Sequence, residues 1–188
     1  MEELALYFRF LLGVMFLSST YSKMKYFQEH IATVREYKII PTSLVRPFVN
    51  LNMIAEAITG SLLLLGLFQK STVLAAISLI TLYTTAIIVN LMRGRTEISC
   101  GCGGIVGNHK ISWLLVVRNC ILVFICIWLT KHPTVVISID SIWNGDPSNF
   151  FNLRILQSLL VCCTTLVFFN TIQQLIKLSK GIHTMFKN

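Results

Sequence analysis

The chain has 188 residues, 54% hydrophobic and only 13% charged, with a net charge of +8. Soluble domains carry closer to a quarter charged residues, and several apolar runs here reach the roughly 20 residues that a helix needs to cross a bilayer. A soluble enzyme is excluded, and nucleic acid is not the expected partner, because basic loops facing the cytoplasm and anionic membrane lipid account for the charge.

Five spans are expected, at residues 4–20, 48–68, 72–92, 111–130 and 153–176. The first follows Met1-Glu2-Glu3, acidic where a signal peptide needs a basic start. No small-residue cleavage site follows it, so it is expected to stay as a transmembrane helix. In the first connection, residues 21–47, Met24, Phe27, Ile31 and Val34 recur at three- and four-residue steps with polar residues between them. That pattern predicts an amphipathic helix stopped by Pro41, lying in the membrane interface or packed on the ends of the bundle. Gln69-Lys70-Ser71 leaves so little room between the second and third spans that these helices must be antiparallel neighbours. The connection at 131–152 carries Trp143 and Asn144-Gly145-Asp146-Pro147, a polar excursion with a turn and an interfacial tryptophan. The expected fold is therefore an all-α integral membrane protein. Residues 1–132 form a four-helix bundle with its amphipathic helix, and residues 133–188 add a polar loop and a C-terminal span.

Five spans put the termini on opposite faces. The face away from Met1 receives the first connection, the loop after the third span and the C-terminal tail. Lys23, Lys25, Arg35, Lys38, Arg46, Arg93, Arg95, Lys110, Lys177, Lys180 and Lys187 all fall there. Lys70 and Lys131, with Arg9 and Arg154 near helix ends, fall on the other. The positive-inside rule places the first face in the cytoplasm.

The loop after the third span holds the chemistry. Ser99-Cys100-Gly101-Cys102-Gly103-Gly104 sets two thiols one residue apart on a glycine-rich turn. A disulfide needs Cα atoms about 4.4–6.8 Å apart, which residues two apart in a bent chain satisfy. So small a ring is strained and easily reduced, as catalytic or regulatory disulfides are, and Arg93, Arg95 and Lys110 would favour thiolate. Two other uses stay open: a metal site in which Cys100, Cys102 and His109 supply three soft ligands, and a tight turn in which the cysteines merely pack. Cys120, Cys126, Cys162 and Cys163 lie within spans and are expected to pack as small hydrophobes.

Glu56 and Arg118 are charges inside spans, both roughly 10–12 Å deep from the same face. Intramembrane charges pair or line a site, so the two are expected to pair beneath the cysteine loop, with Asn90 and Asn119 extending the network. Phe8, Phe10, Tyr83 and Trp113 are candidate walls for a quinone pocket, or packing and interfacial anchors.

The run Leu91 to Gly104, followed by Ile111-Ser112-Trp113 and Val117-Arg118-Asn119, closely resembles the methylamine-utilisation membrane protein family MauE, within the wider DoxX-like superfamily. Ser22-Lys23, Phe27, Tyr37-Lys38-Ile39-Ile40-Pro41, Leu44-Val45-Arg46-Pro47 and Glu56 add to the match, which covers roughly residues 1–132. The resemblance implies a bacterial cell-membrane accessory that supports maturation of an exported, disulfide-containing client alongside a thioredoxin-like partner. Cys100 and Cys102 would be the exchanging pair, with Arg118 and Glu56 as supporting polar residues. A non-enzymatic chaperone or assembly subunit, and a quinone-linked thiol oxidoreductase, are the alternatives. The last requires a lipid-facing pocket beside the cysteines. A role in periplasmic disulfides also sits awkwardly with a cytoplasmic cysteine loop.

Overall fold

A computed structural model describes residues 2–101 and 110–132. The expected fifth span and almost all of the connection before it lie outside these residues. The described chain runs α1 (Glu2–Lys25), α2 (Phe27–Glu36), a 3-10 turn (Thr42–Leu44), α3 (Val45–Leu65), α4 (Gln69–Met92) and α5 (Trp113–Lys131). All but α2 and the short turn are long and apolar enough to cross a membrane. The protein is an all-α, multi-pass membrane protein.

Helix boundaries differ from expectation where side chains satisfy polar groups. The first helix continues past residue 20 to Lys25. Thr20 returns its hydroxyl to the Phe16 carbonyl, and Lys23 finds an acidic partner inside the bundle, so polar residues do not end it. The tight turn between α3 and α4 falls at Gly66–Phe68, ahead of the predicted Gln69-Lys70-Ser71, which already forms the first turn of α4. Gly66 takes φ +69° and closes α3 through its N–H on the Leu62 carbonyl, a left-handed stop that suits glycine. The two helices are antiparallel neighbours, as so short a turn demands.

Packing follows two pairings, α1 on α3 and α4 on α5, with α3 also touching α4. Gly13 and Gly60 let α1 and α3 approach closely. A Cβ on Gly13 would lie 2.7 Å from Leu64 Cδ2, and one on Gly60 3.0 Å from Leu17 Cγ and 3.2 Å from the Gly13 carbonyl. Where lipid is as apolar as leucine, close backbone approach supplies the van der Waals contact that holds helices together. Leu12, Phe16, Leu63, Ile80, Leu122 and Cys126 form the core where the pairs meet.

The amphipathic helix is packed on the end of the bundle. Ile31 is buried against Val45, Val49 and Met53 of α3, with Phe27 and Val34 beside it. Met24, expected on the same stripe, belongs to the last turn of α1 and is exposed. The helix ends at Glu36, short of Pro41, which instead opens the 3-10 turn into α3. Thus α2, the start of α3 and the ends of α1 and α4 all lie on the face that carries the cysteine loop.

The glycine crossing is directly testable. Gly60→Leu is expected to force α1 from α3 and destabilise the protein by about 1–3 kcal/mol, the usual cost of overpacking. Thermal unfolding in nanodiscs should show the loss, whereas Ala75→Leu on the exposed face of α4 should leave the midpoint nearly unchanged.

Candidate functional site

The cysteine loop is held at both ends. Ser99 and Lys110 form an antiparallel bridge, with the Ile111 N–H donating to the Ile98 carbonyl at 2.9 Å, and Lys110 pairs with Glu97 at the exposed rim. Tyr37, just past α2, donates its hydroxyl to the carbonyls of Ser99 (3.2 Å) and Cys100 (3.0 Å). Burial raises the Tyr37 pKa to about 12, so this donor persists across the physiological range. Gly101 has φ +67°, and a Cβ there would meet Thr33 Cγ2 at 3.2 Å and His30 Nδ1 at 3.4 Å. Only glycine lets the loop lie this close on α2.

Cys100 is buried and disulfide-bonded. The other described cysteines, Cys120 and Cys126, carry free thiols, so the bonded partner lies outside the described residues. Cys102 and His109 lie outside them too, so the metal alternative falls largely out of view; no cluster of three His, Cys, Asp or Glu occurs among the described residues. Arg93 and Arg95 reach the carbonyls of Lys38 and Glu36, each at 3.4 Å. These are cations at a helix C-terminus, where the dipole favours them, and they fasten the loop to α2.

Beneath the loop, between α2, the start of α3 and α4, is an apolar cavity of about 690 Å³. Cys100, Gly101, His30 and Tyr37 line its loop end, and Phe48, Leu82, Tyr83 and Ala86 its flank. His30 is 8% exposed. Burial, with Lys23 nearby, lowers its pKa from 6.5 to about 4, so it is a neutral imidazole at pH 7.

The intramembrane charges do not pair as expected. The buried partner of Glu56 is Lys23, whose Nζ lies 2.5 Å from Oε1; the two side chains are 1% and 2% exposed. Tyr83 donates to the same Oε1, receives Asn52 Nδ2, and also accepts from Lys23 at 3.0 Å. Glu56 Oε2 has no hydrogen-bond partner among the described residues. Arg118 instead donates from Nε and Nη2 to Asn119 Oδ1 of its own helix, and Asn119 donates to Thr84 Oγ1 at 3.1 Å. The geometric reason is reach: Lys23 sits on α1, the immediate packing partner of α3, whereas Arg118 approaches across a cavity of about 60 Å³ that it shares with Glu56, Lys23 and Tyr83. Among the described residues Asn119 thus bonds to Arg118 and Thr84 and not to the Glu56 cluster, and the Asn90 side chain donates to the Ala86 carbonyl of its own helix.

Sequence reasoning missed Lys23 as a site residue, because it had been counted among surface charges. Being paired and buried, it leaves the positive-inside tally. Arg9 was placed near a helix end but is fully buried, with its guanidinium 5.5 Å from the Phe10 ring centroid. Of the proposed aromatic walls, Tyr83 lines the large cavity; Phe8 meets Trp128 edge to face, Phe10 packs with Leu6, and Trp113 is exposed at the start of α5.

Helical spans joined by a buried charge cluster and capped by a disulfide-bearing loop define a multi-pass membrane protein with its site at one membrane face. Residues 1–132 match the family described as methylamine utilisation protein MauE, and the chain belongs to that family. It is similar to methylamine utilization protein MauE of Paracoccus denitrificans, at 30% identity over 114 residues covering 61% of each chain. The counterpart in Methylorubrum extorquens is 32% identical over 111 residues, 59% of this chain and 60% of that one. That of Methylophilus methylotrophus is 36% identical over 80 residues, 43% of this chain and 42% of that one. The alignment thus spans about three-fifths or less of these relatives. No solved structure matches.

Two outcomes follow from this geometry. Lys23→Met strands the Glu56 charge and should cost about 3–5 kcal/mol, whereas Lys23→Met/Glu56→Gln should cost less than the sum of its parts, a coupling that a double-mutant cycle in nanodiscs would measure. Between pH 6.5 and about 4 the unfolded chain binds a proton at His30 that the folded chain refuses, so stability should fall as pH drops through that window. His30→Gln should flatten that part of the curve of thermal midpoint against pH.

Proposed function

We propose that this chain is a membrane redox accessory of the methylamine-utilisation type. It exchanges disulfides through Cys100 and Cys102 to support folding or maturation of an exported, disulfide-containing protein, with a thioredoxin-like protein as redox partner. The observation that carries the reading is the disulfide-bonded Cys100, buried in a loop that is pinned to α2 and paired across Ser99 and Lys110. A purely structural crosslink has little to add to a turn already fixed on both sides. A redox pair, by contrast, gains from a frame that returns it to one geometry after each cycle.

In the exchange step a client thiolate attacks one sulfur of the pair, forming a mixed disulfide and releasing the other as thiolate. A second client thiolate then attacks the mixed disulfide, leaving the client oxidised and the pair reduced. Running in reverse, the same two steps reduce a client disulfide. Electrons balance as a two-electron transfer in either direction, and the thioredoxin-like partner supplies or removes them.

The remaining charges argue for a cytoplasmic loop. Lys25, Arg35, Lys38, Arg46, Arg93, Arg95 and Lys110 share its face, against Lys70 and Lys131 opposite. Arg93, Arg95 and Lys110 have local partners, so they contribute both to orientation and to the frame of the loop. A cytoplasmic pair would draw on cytoplasmic electrons and pass their effect outward.

Differential alkylation and mass spectrometry of native membranes, across a glutathione titration, tests the exchange. A reversible disulfide with a potential of about −120 to −270 mV, the range of thioredoxin-like exchangers, is expected. Cys100→Ser/Cys102→Ser should abolish client oxidation or reduction. Thiols that stay reduced at every poise, or full client maturation by the double variant, would instead favour a docking or assembly role.

A further inference from the structure

We propose that the smaller cavity, walled by Glu56, Lys23, Tyr83 and Arg118, is a water port: it holds about two to four water molecules through which Glu56 trades protons with the membrane surface. The port is independent of any chemistry at the cysteine loop.

Glu56 creates the need for it. Lys23 and Tyr83 both bond to Oε1, whereas Oε2 has no partner among the described residues although the side chain is only 1% exposed. A buried acceptor is costly to leave unsatisfied, and a charged one more so. Oε2 therefore calls for a donor, and Glu56 lines a cavity that can hold one.

Size and chemistry select water. At about 60 Å³ the cavity falls well short of the roughly 300–1,000 Å³ of sites for drug-sized ligands, whereas a water takes about 30 Å³ even in the liquid. A metal cation is opposed by Lys23 and Arg118 in the same wall, and an acyl chain brings no donor for a carboxylate. Water can donate to Oε2 while bonding to the Ser19 hydroxyl and the Arg118 guanidinium, which line the same space and complete the set of polar partners an internal water keeps.

The route out runs between α1 and α5, which touch far less than α1 and α3 do. Ser19 and Arg118, one on each helix, are half-buried at this seam, toward the face that carries the cysteine loop. Carboxylates inside a membrane that face water-filled cavities are the groups from which proton pathways are built. The proton that Glu56 takes comes from the water cluster and returns to it, so no further donor or acceptor is required. Tyr83 lines the larger cavity too, so the port reaches the wall between the two spaces.

Full-length protein in nanodiscs is mixed into heavy-oxygen water and then exposed to a brief X-ray pulse, which turns bound water into hydroxyl radicals. Mass spectrometry reads which residues are oxidised and which isotope they carry. Met15 and Phe16, in the wall of the cavity, should gain heavy oxygen, while lipid-facing Phe124 and Met53, packed with Ile31 and Val49, stay unlabelled. Ser19→Leu, which puts an apolar side chain in the cavity, should remove that label in a protein whose thermal midpoint reports it folded. Met15 and Phe16 left unlabelled in the unaltered protein would overturn the port, whatever the variant does. Label that keeps ordinary oxygen after long mixing would overturn it too, because such water is sealed from the surface. So would label that survives Ser19→Leu in a folded protein, since the radicals then arise elsewhere.

Discussion

A lysine and a glutamate sharing one proton-rich contact inside the bundle hold this fold in register. Burying either charge alone is expensive, and the cost is met only if both arrive together with further hydrogen bonds around them. Lys23 from α1 and Glu56 from α3 make the pair, Tyr83 from α4 bonds to both, and Asn52 adds a donor from α3. Three spans are thereby fixed at one point. Gly13 and Gly60 serve it by bringing α1 and α3 close enough for the lysine to reach.

The loop depends on that frame through α2. Ile31 seats α2 on α3, and Tyr37, Arg93 and Arg95 then tie the cysteine segment to the end of α2. The disulfide-bonded sulfur is therefore placed by a chain of contacts that begins at the helix pairing. The cavity exists because α2 leans on α3 and leaves α4 uncovered along Ile77 to Val89, a stretch closed over only at the loop.

Much of this was legible in the sequence. The four described spans, the antiparallel α3–α4 pair and the amphipathic α2 followed from hydrophobic runs, a short connection and a three-to-four-residue period, signals that do not depend on tertiary partners. Cys100, Glu56, Arg118 and Asn119 stood out because polar or reactive residues in such surroundings need a reason. The pairing of Glu56 was not legible. Depth along a helix can be counted, but which neighbour a side chain faces depends on rotation about the axis and on which helices touch. Lys23 looked like an ordinary interfacial lysine because its helix was expected to end before it. The turn was misplaced by a few residues for a similar reason: Gly66 acts through a left-handed conformation, whereas the polar run after it only resembles a loop. Of the cavity only Tyr83 was foreshadowed, as a candidate pocket wall, because the space lies between α2 and α4 and neither helix encodes it alone.

The separation of Lys23 and Glu56 along the chain, 33 residues, has a consequence for biogenesis. When α1 enters the membrane during synthesis its lysine has no acid to meet, since α3 has yet to emerge. The helix must wait near the membrane surface, or within the insertion machinery, until α3 arrives, and the two then enter as a hairpin with their charges already joined. Tyr83 follows later and completes the contact from α4. Insertion of the first helix is thus coupled to synthesis of the second, and a change at residue 56 would be felt first by nascent chains whose α1 fails to settle, before any effect on the finished protein.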